Sequence, residues 1–256
     1  MTVIKAQNAV KEYVRKGETV YALRGVDLEI KAGEFTAIVG PSGSGKSTFL
    51  RLAGCLDTLT GGTLLVDGED TGTMKSGELD TLHRQKISFI FQNLKLNPEL
   101  SAEENITHPL SLLGMSRKEI KERCTSALAD VGLERKAKGL PGEMTASQRQ
   151  RLAIARALAK VRRAKRPVII LADEPTSHQG SAMGREILKL MLEINKKEGA
   201  TFVFSTHDRK VMDNARRIIR MRDGQIESDE GVNHGQSNTF CGQRVRPGNG
   251  LLHHLI

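Results

Sequence analysis

The segment that most restricts how this chain folds is Gly40-Pro41-Ser42-Gly43-Ser44-Gly45-Lys46-Ser47-Thr48. It follows a short apolar run, Phe35–Val39, and precedes residues 48–54, which suit the start of a helix. The pattern G-x-x-x-x-G-K-[ST] between a strand and a helix describes a loop whose backbone N–H groups turn inward around phosphates. The glycines let the main chain wrap closely. The helix N-terminus adds positive potential. Lys46 neutralises phosphate charge, and the Ser47 hydroxyl can ligate Mg²⁺. A Gly/Ser-rich turn that merely contains a lysine is the bland alternative, and the strand before and helix after weigh against it.

The flanking sequence alternates strands and helices. Residues 1–34 read as strands and turns, with a turn signal at Lys31-Ala32-Gly33. Gly61-Gly62 precedes a short strand at 63–66 and a turn at Asp67-Gly68, and 87–91 is a further apolar strand. From about 93 to 166 the period becomes helical: Ser116 and Glu119 form a capping box ahead of Ile120, Cys124, Leu128 and Val131, Gly132 fits the helix end, and a second helix is expected over about 146–165. The continuous apolar run 168–172 suits a parallel strand covered on both faces. A helix at 184–198, a strand at 201–206 and a hairpin around Asp223-Gly224 complete the pattern. The implied fold class is α/β with a parallel sheet, into which 93–166 is inserted as a helical unit. From Asp229 onward, five Gly, three Asn and three His occur in 28 residues, which reads as a mobile tail over 229–256. The adjacent His253 and His254 suit a solvated terminus better than a metal site.

Three further constellations bear on chemistry. The run 168–172 ends in Asp173 and Glu174: the first can hold the Mg²⁺ shell beside the phosphate loop, and the second can polarise a water. His207 follows the strand 201–206, at the sheet edge where α/β proteins bind ligands, within reach of a terminal phosphate. Gln92, at the end of the strand 87–91, can touch Mg²⁺ and move with the helical insertion.

In this order the four features resemble the ATP-binding subunit of ABC transporters, over roughly residues 2–228. The likeness is greatest to the group that powers lipoprotein release, macrolide export and cell division, and is carried by Gly40 through Thr48, Gly54-Cys55-Leu56-Asp57, Phe89-Ile90-Phe91-Gln92, Leu171-Ala172-Asp173-Glu174-Pro175-Thr176 and Ser205-Thr206-His207-Asp208. The resemblance implies an ABC ATP-binding domain over 1–228: a RecA-like P-loop NTPase core, a small antiparallel β subdomain and the helical subdomain 93–166. It implies ATP and Mg²⁺ as cofactors, Glu174, His207 and Gln92 as catalytic residues, and Ser47, Gln92 and Asp173 around the metal. Tyr13 matches the aromatic residue that stacks on adenine. Two such subunits sandwich ATP, so a second ATP-binding subunit and separate transmembrane permease subunits are implied partners, with the region through Glu99 and Glu104 as the docking area. The location implied is cytoplasmic, peripheral on the inner face of the cytoplasmic membrane.

The chain departs from that family in its trans-acting parts. The signature, usually L-S-G-G-Q, reads Met144-Thr145-Ala146-Ser147-Gln148 here. Thr145, Ser147 and Gln148 would still face the partner's nucleotide, but Cβ atoms at 146 and 147 stand where the backbone approaches phosphate. Thr145 and Gln148 also make a plain capping box. Gly180 stands where the family has an Asp, and Lys160–Arg166 forms a long basic extension. These changes imply strong ATP binding in cis and a weakened contribution in trans.

Charge narrows the remaining choices. The chain carries a net +9. Between Ser116 and Arg166 there are 15 Lys and Arg against 5 Asp and Glu, so the rest carries −1. The excess therefore points to an anionic lipid surface or acidic partner beside the helical subdomain. Apolar runs are too short to span a membrane, and the first residues lack the apolar stretch of a signal peptide. Cys55, Cys124 and Cys241 show neither disulfide nor metal spacing and suit a reducing cytosol. The favoured function is ATP hydrolysis powering an export or lipoprotein-release transporter, with no nucleic-acid partner. A soluble nucleic-acid-associated ABC ATPase and a regulatory ATP binder with weak turnover are the alternatives.

Overall fold

The computed structural model describes residues 1–15, 17–161, 168–175 and 181–232. Its centre is a six-stranded sheet in the order β10-β9-β3-β8-β7-β6. β3 (Phe35–Val39), β6 (Ile87–Ile90), β7 (Ile169–Asp173), β8 (Thr201–Ser205) and β9 (Arg217–Arg222) run parallel, and β10 (Gln225–Gly231) closes the edge antiparallel to β9. β3 and β8 are buried at every position, and β7 at all but its last residue, because helices or a second sheet cover both faces.

One face packs on α1 (Lys46–Ala53) and on an antiparallel sheet ordered β2-β1-β4-β5, formed by β1 (Thr2–Arg15), β2 (Glu18–Lys31), β4 (Gly61–Val66) and β5 (Glu69–Asp70). Ile4, Leu23, Ile30, Ile38, Phe49 and Leu64 meet there. The opposite face packs on α5 (Ala146–Val161) and α6 (Ser181–Glu198), around Phe35, Phe202 and Phe204. The three rings lie with centroids 4.7–5.8 Å apart.

A third core belongs to the helical part. α3 (Ala102–Ser111) and α4 (Arg117–Asp130) pack on α5 through Ile106, Leu110, Cys124 and Leu128. α5 gives Ile154, Ala157 and Leu158 to the sheet and Leu152, Ala155 and Ala159 to this core, so it is apolar on two sides. It is the strut that joins the two units.

Several boundaries differ from the sequence expectation. A helix α2 (Ser76–Lys86) stands where none was read; its only buried residues are Leu79 and Leu82, too few to mark a period in a polar stretch. β10 continues to Gly231, so residues 229–231 of the expected tail pair with β9 from Arg217 to Ile219. The remainder of that tail from 233, His253 and His254 with it, lies outside the described residues, as do 176–180 with the Gly180 departure and 162–166 of the basic extension. A short helix α7 (Arg209–Asn214) links β8 to β9.

Candidate functional site

The carboxyl ends of β3, β7 and β8 open on one cleft of about 600 Å³. It is lined by Tyr13, Val20, Tyr21, Ala22, every residue from Gly40 to Thr48, Gln92, Glu174, Ser205 and His207. Parallel strands release their chains at this edge, which places the turns after them side by side.

The loop after β3 needs its glycines for space. A Cβ at Gly40 would lie 2.0 Å from the Met221 carbonyl oxygen, and one at Gly45 2.5 Å from that of Ala22. Gly45, at φ 100°, turns the chain into α1. The Lys46 ammonium reaches back over the loop and donates to the carbonyls of Gly40 and Pro41, both at 2.8 Å, and to Ser44 Oγ at 3.3 Å. Burial pushes its pKa below the ordinary lysine value, against the opposing pull of Glu174 and Asp173. A buried ammonium resting on three neutral oxygens is better served by an anion.

At the end of β7, Asp173 Oδ1 accepts a 2.8 Å hydrogen bond from Ser47 Oγ, across 126 residues of sequence. Glu174 follows at φ +49°, a left-handed conformation rare for a residue with a Cβ. Its N–H donates to Ser205 O, which holds the turn, and its Oε1 lies 2.7 Å from His207 Nδ1. Thr206 Oγ1 reaches its other oxygen at 3.5 Å. Strain of this kind persists where surrounding structure over-determines it and clusters at functional sites. With Nδ1 on the carboxylate, the exposed imidazole keeps Nε2 for a ligand.

The structure thus brings Tyr13, Gly40, Pro41, Ser42, Gly43, Ser44, Gly45, Lys46, Ser47, Thr48, Gln92, Glu174 and His207 to one cleft, with Asp173 tied to it through Ser47. Thr145, Ser147 and Gln148 do not line it. They start α5, where Thr145 Oγ1 accepts from the Gln148 N–H at 3.2 Å and the Thr145 N–H donates to Gln148 Oε1 at 2.9 Å, a reciprocal cap.

Two features escaped the sequence. Leu94 and Lys95, just after Gln92, have φ of 58° and 47°, and their carbonyls each accept a 2.7 Å hydrogen bond from the Arg156 guanidinium on α5. The Gln92 loop is therefore clamped to the helix that begins with Thr145 to Gln148. Nothing local announces a contact spanning about sixty residues. The second is the fate of the basic charge. Lys160, assigned with the surface extension, turns inward and donates to the carbonyls of His83 and Ile87. Arg123, Arg149, Arg151 and Arg156 likewise donate to backbone carbonyls. Part of the local excess thus also ties down backbone carbonyls, while Arg156 and Lys160 still line an open groove.

The comparisons with known proteins agree with this geometry. The family model described as ABC transporter matches residues 23–177. The ABC transporter ATP-binding protein MJ0796 of Methanocaldococcus jannaschii is 42% identical over 232 residues, covering 89% of this chain and 97% of that protein. YknY of Bacillus subtilis, also an ABC transporter ATP-binding protein, is 40% identical over 224 residues, 88% of this chain and 95% of its own. The macrolide export ATP-binding/permease protein MacB of Syntrophobacter fumaroxidans is 40% identical over 235 residues, 91% of this chain but 32% of its own length. Among solved structures, a dimer of MJ0796 in a post-hydrolysis state bound to ADP and Pi superposes with a TM-score of 0.84 at 41% identity, covering 90% of this chain and 99% of that one.

Proposed function

The chain belongs to the ABC transporter family as an ATP-binding cassette, and from that premise we propose that it hydrolyses ATP to drive a membrane exporter. The observation that supports this most is the meeting, in one cleft, of Lys46 on its loop, the Ser47–Asp173 hydrogen bond and the Glu174–His207 pair.

The donor set suits Mg²⁺. A hydroxyl and a carboxylate stand 2.8 Å apart, with the Gln92 amide on the same wall, all hard oxygens. Among the described residues no cluster of three or more His, Cys, Asp or Glu could hold a metal. That fits an ion completed by phosphate oxygens rather than by a protein cage. When bound, the ion neutralises charge on the phosphates. The chain's own groups do the rest. The loop N–H groups and Lys46 bind and orient the phosphates, Lys46 leaving the carbonyls of Gly40 and Pro41 to do so. Glu174 accepts the proton of the attacking water. His207 holds that carboxylate at Nδ1 and offers Nε2 to the terminal phosphate.

In this proposal membrane passage falls to separate permease subunits and the cassette sits peripherally on the cytoplasmic face; no helix of the described residues is long and apolar enough to cross a membrane. A groove of about 470 Å³, between the β6 edge and the helical part, supports this docking. Phe89, Phe91, Leu112 and Leu113 give it an apolar wall, and its charged lining, Lys160 included, contains no acid. A second ATP-binding subunit is the other partner, as in the MJ0796 dimer; Thr145, Ser147 and Gln148 would address its nucleotide. The nucleic-acid alternative is not favoured, because the relatives are transporter proteins.

The test is phosphate release by the purified chain with ATP and Mg²⁺, beside Lys46→Met. Release that depends on Mg²⁺ and is lost in the variant supports the proposal. Release unchanged by the substitution refutes it.

A further inference from the structure

Residues 11 and 57, which the reading above leaves unassigned, form a cluster with Tyr13 of the cleft. Lys11 and Tyr13 stand two apart on β1 and therefore share a face. Asp57 arrives from the turn after α1. Tyr13 Oη donates to Asp57 Oδ2 at 2.7 Å. The Lys11 ammonium donates to Asp57 Oδ1 at 2.5 Å and to the Thr58 carbonyl at 2.6 Å, and it lies 4.9 Å from the centroid of the Tyr13 ring. The Thr58 N–H donates to the same carboxylate at 2.8 Å. Thr60 staples the segment to β1 three times: its N–H and Oγ1 donate to Val10 O at 3.0 and 3.2 Å, and its Oγ1 accepts from the Glu12 N–H at 3.0 Å.

We infer that Asp57 and Lys11 are positioning residues that lock the Tyr13 ring as the platform on which the purine base of the nucleotide stacks. The inference rests on the nucleotide reading above and adds residues to it. Lys11 is 7% exposed, so its charge is held by this carboxylate rather than by water. With its hydroxyl anchored and an ammonium over it, the ring has one orientation. It pays its ordering entropy on folding, not on binding. Tyr21, the other tyrosine of the chain, lines the same cleft but is 47% exposed and lies under Arg24. The anchor also sets a distance. α1 carries Lys46 and Ser47 at its start, and Asp57 follows in the turn after its end at Ala53, so the helix and that turn together space the phosphate loop from the base platform. Titration agrees: burial and the bond to Asp57 raise the Tyr13 pKa. Burial alone would raise Asp57, but the bonds from Lys11, Tyr13 and the Thr58 N–H bring it below the usual carboxylate value.

The test compares equilibrium binding of ATP, GTP and inorganic tripolyphosphate. Stacking of about 1–3 kcal/mol per base predicts that Tyr13→Ala weakens ATP and GTP about five-fold or more. Tyr13→Phe keeps the ring and removes the tie, and should weaken both about three-fold, a part of that stacking. Asp57→Ala should do the same, and so should Lys11→Met with Asp57→Ala, which removes the buried charge pair together and guards against misfolding. Tripolyphosphate should bind all variants as it binds the parent, and Asp57→Ala should add nothing in a Tyr13→Ala background. Equal loss of tripolyphosphate, or an Asp57 effect that survives without the ring, overturns the inference and makes the cluster merely structural. Tyr13→Ala binding ATP normally removes the platform itself; Tyr13→Ala weakened with Tyr13→Phe and Asp57→Ala unaffected leaves the platform standing and removes its anchor.

Discussion

Restoring glycine at both altered signature positions, Ala146→Gly with Ser147→Gly, separates two effects of opposite sign. Both residues sit in the first turn of α5, ahead of its buried face, which begins at Gln150 and continues through Leu152, Ala153, Ile154 and Ala155. The reciprocal Thr145–Gln148 cap stays in place, since neither residue is changed. The stability cost is then helix propensity, at most about 1 kcal/mol per glycine, together with the loss of the contact Ser147 makes. Two glycines lower Tm by roughly 3–6 °C for a domain of this size. Against this, N–H groups at the helix start gain access to the partner's phosphate. One added hydrogen bond to a charged group is worth about 1.5 kcal/mol or more, so ATP turnover should rise about ten-fold. The assay is steady-state phosphate release at saturating ATP and Mg²⁺, with Tm read on the same sample. A lower Tm with no gain in rate refutes the argument that the two Cβ atoms limit hydrolysis. A gain without any fall in Tm refutes the helix argument instead.

Glu174→Gln keeps shape and removes the base; turnover should fall at least about 10²-fold while the ATP dissociation constant stays within a factor of three, and retained turnover would assign the base elsewhere. Ser47→Ala and Asp173→Asn should each raise the Mg²⁺ concentration needed for half-maximal turnover by about ten-fold, one charge-assisted contact, and leave Mg²⁺-free nucleotide binding nearly unchanged; titration of Mg²⁺ at fixed ATP decides it. Burial pushes Lys160 down to about 7 from 10.5. The unfolded chain therefore binds more protons between those values, and stability rises with pH across that window. Lys160→Met should flatten this rise, as read by urea unfolding at pH 6.5 and 9, and an unchanged slope would place the titration on other groups.

The legible part of this protein is local. A phosphate loop, two carboxylates at a strand end and a histidine after the next strand are each written within a few adjacent residues. Their strand-then-turn context is enough to put them at one sheet edge, because parallel strands all release their chains on the same side. The hairpin at Asp223-Gly224 was readable for the same reason: its turn chemistry is contained in two residues. α2 was not readable, since two buried leucines in a polar helix carry almost no period.

What tertiary structure decided is where the long side chains end. Composition counts Lys160, Arg123, Arg149, Arg151 and Arg156 as surface charge, but the fold spends them on backbone carbonyls, including those of the left-handed pair Leu94 and Lys95. It also chose a partner for the Tyr13 hydroxyl 44 residues away. Residue type and spacing determine what a short segment can bind; only packing determines which distant oxygen lies within the reach of a flexible cation or a phenol, because a buried polar group takes whatever partner the fold brings to it.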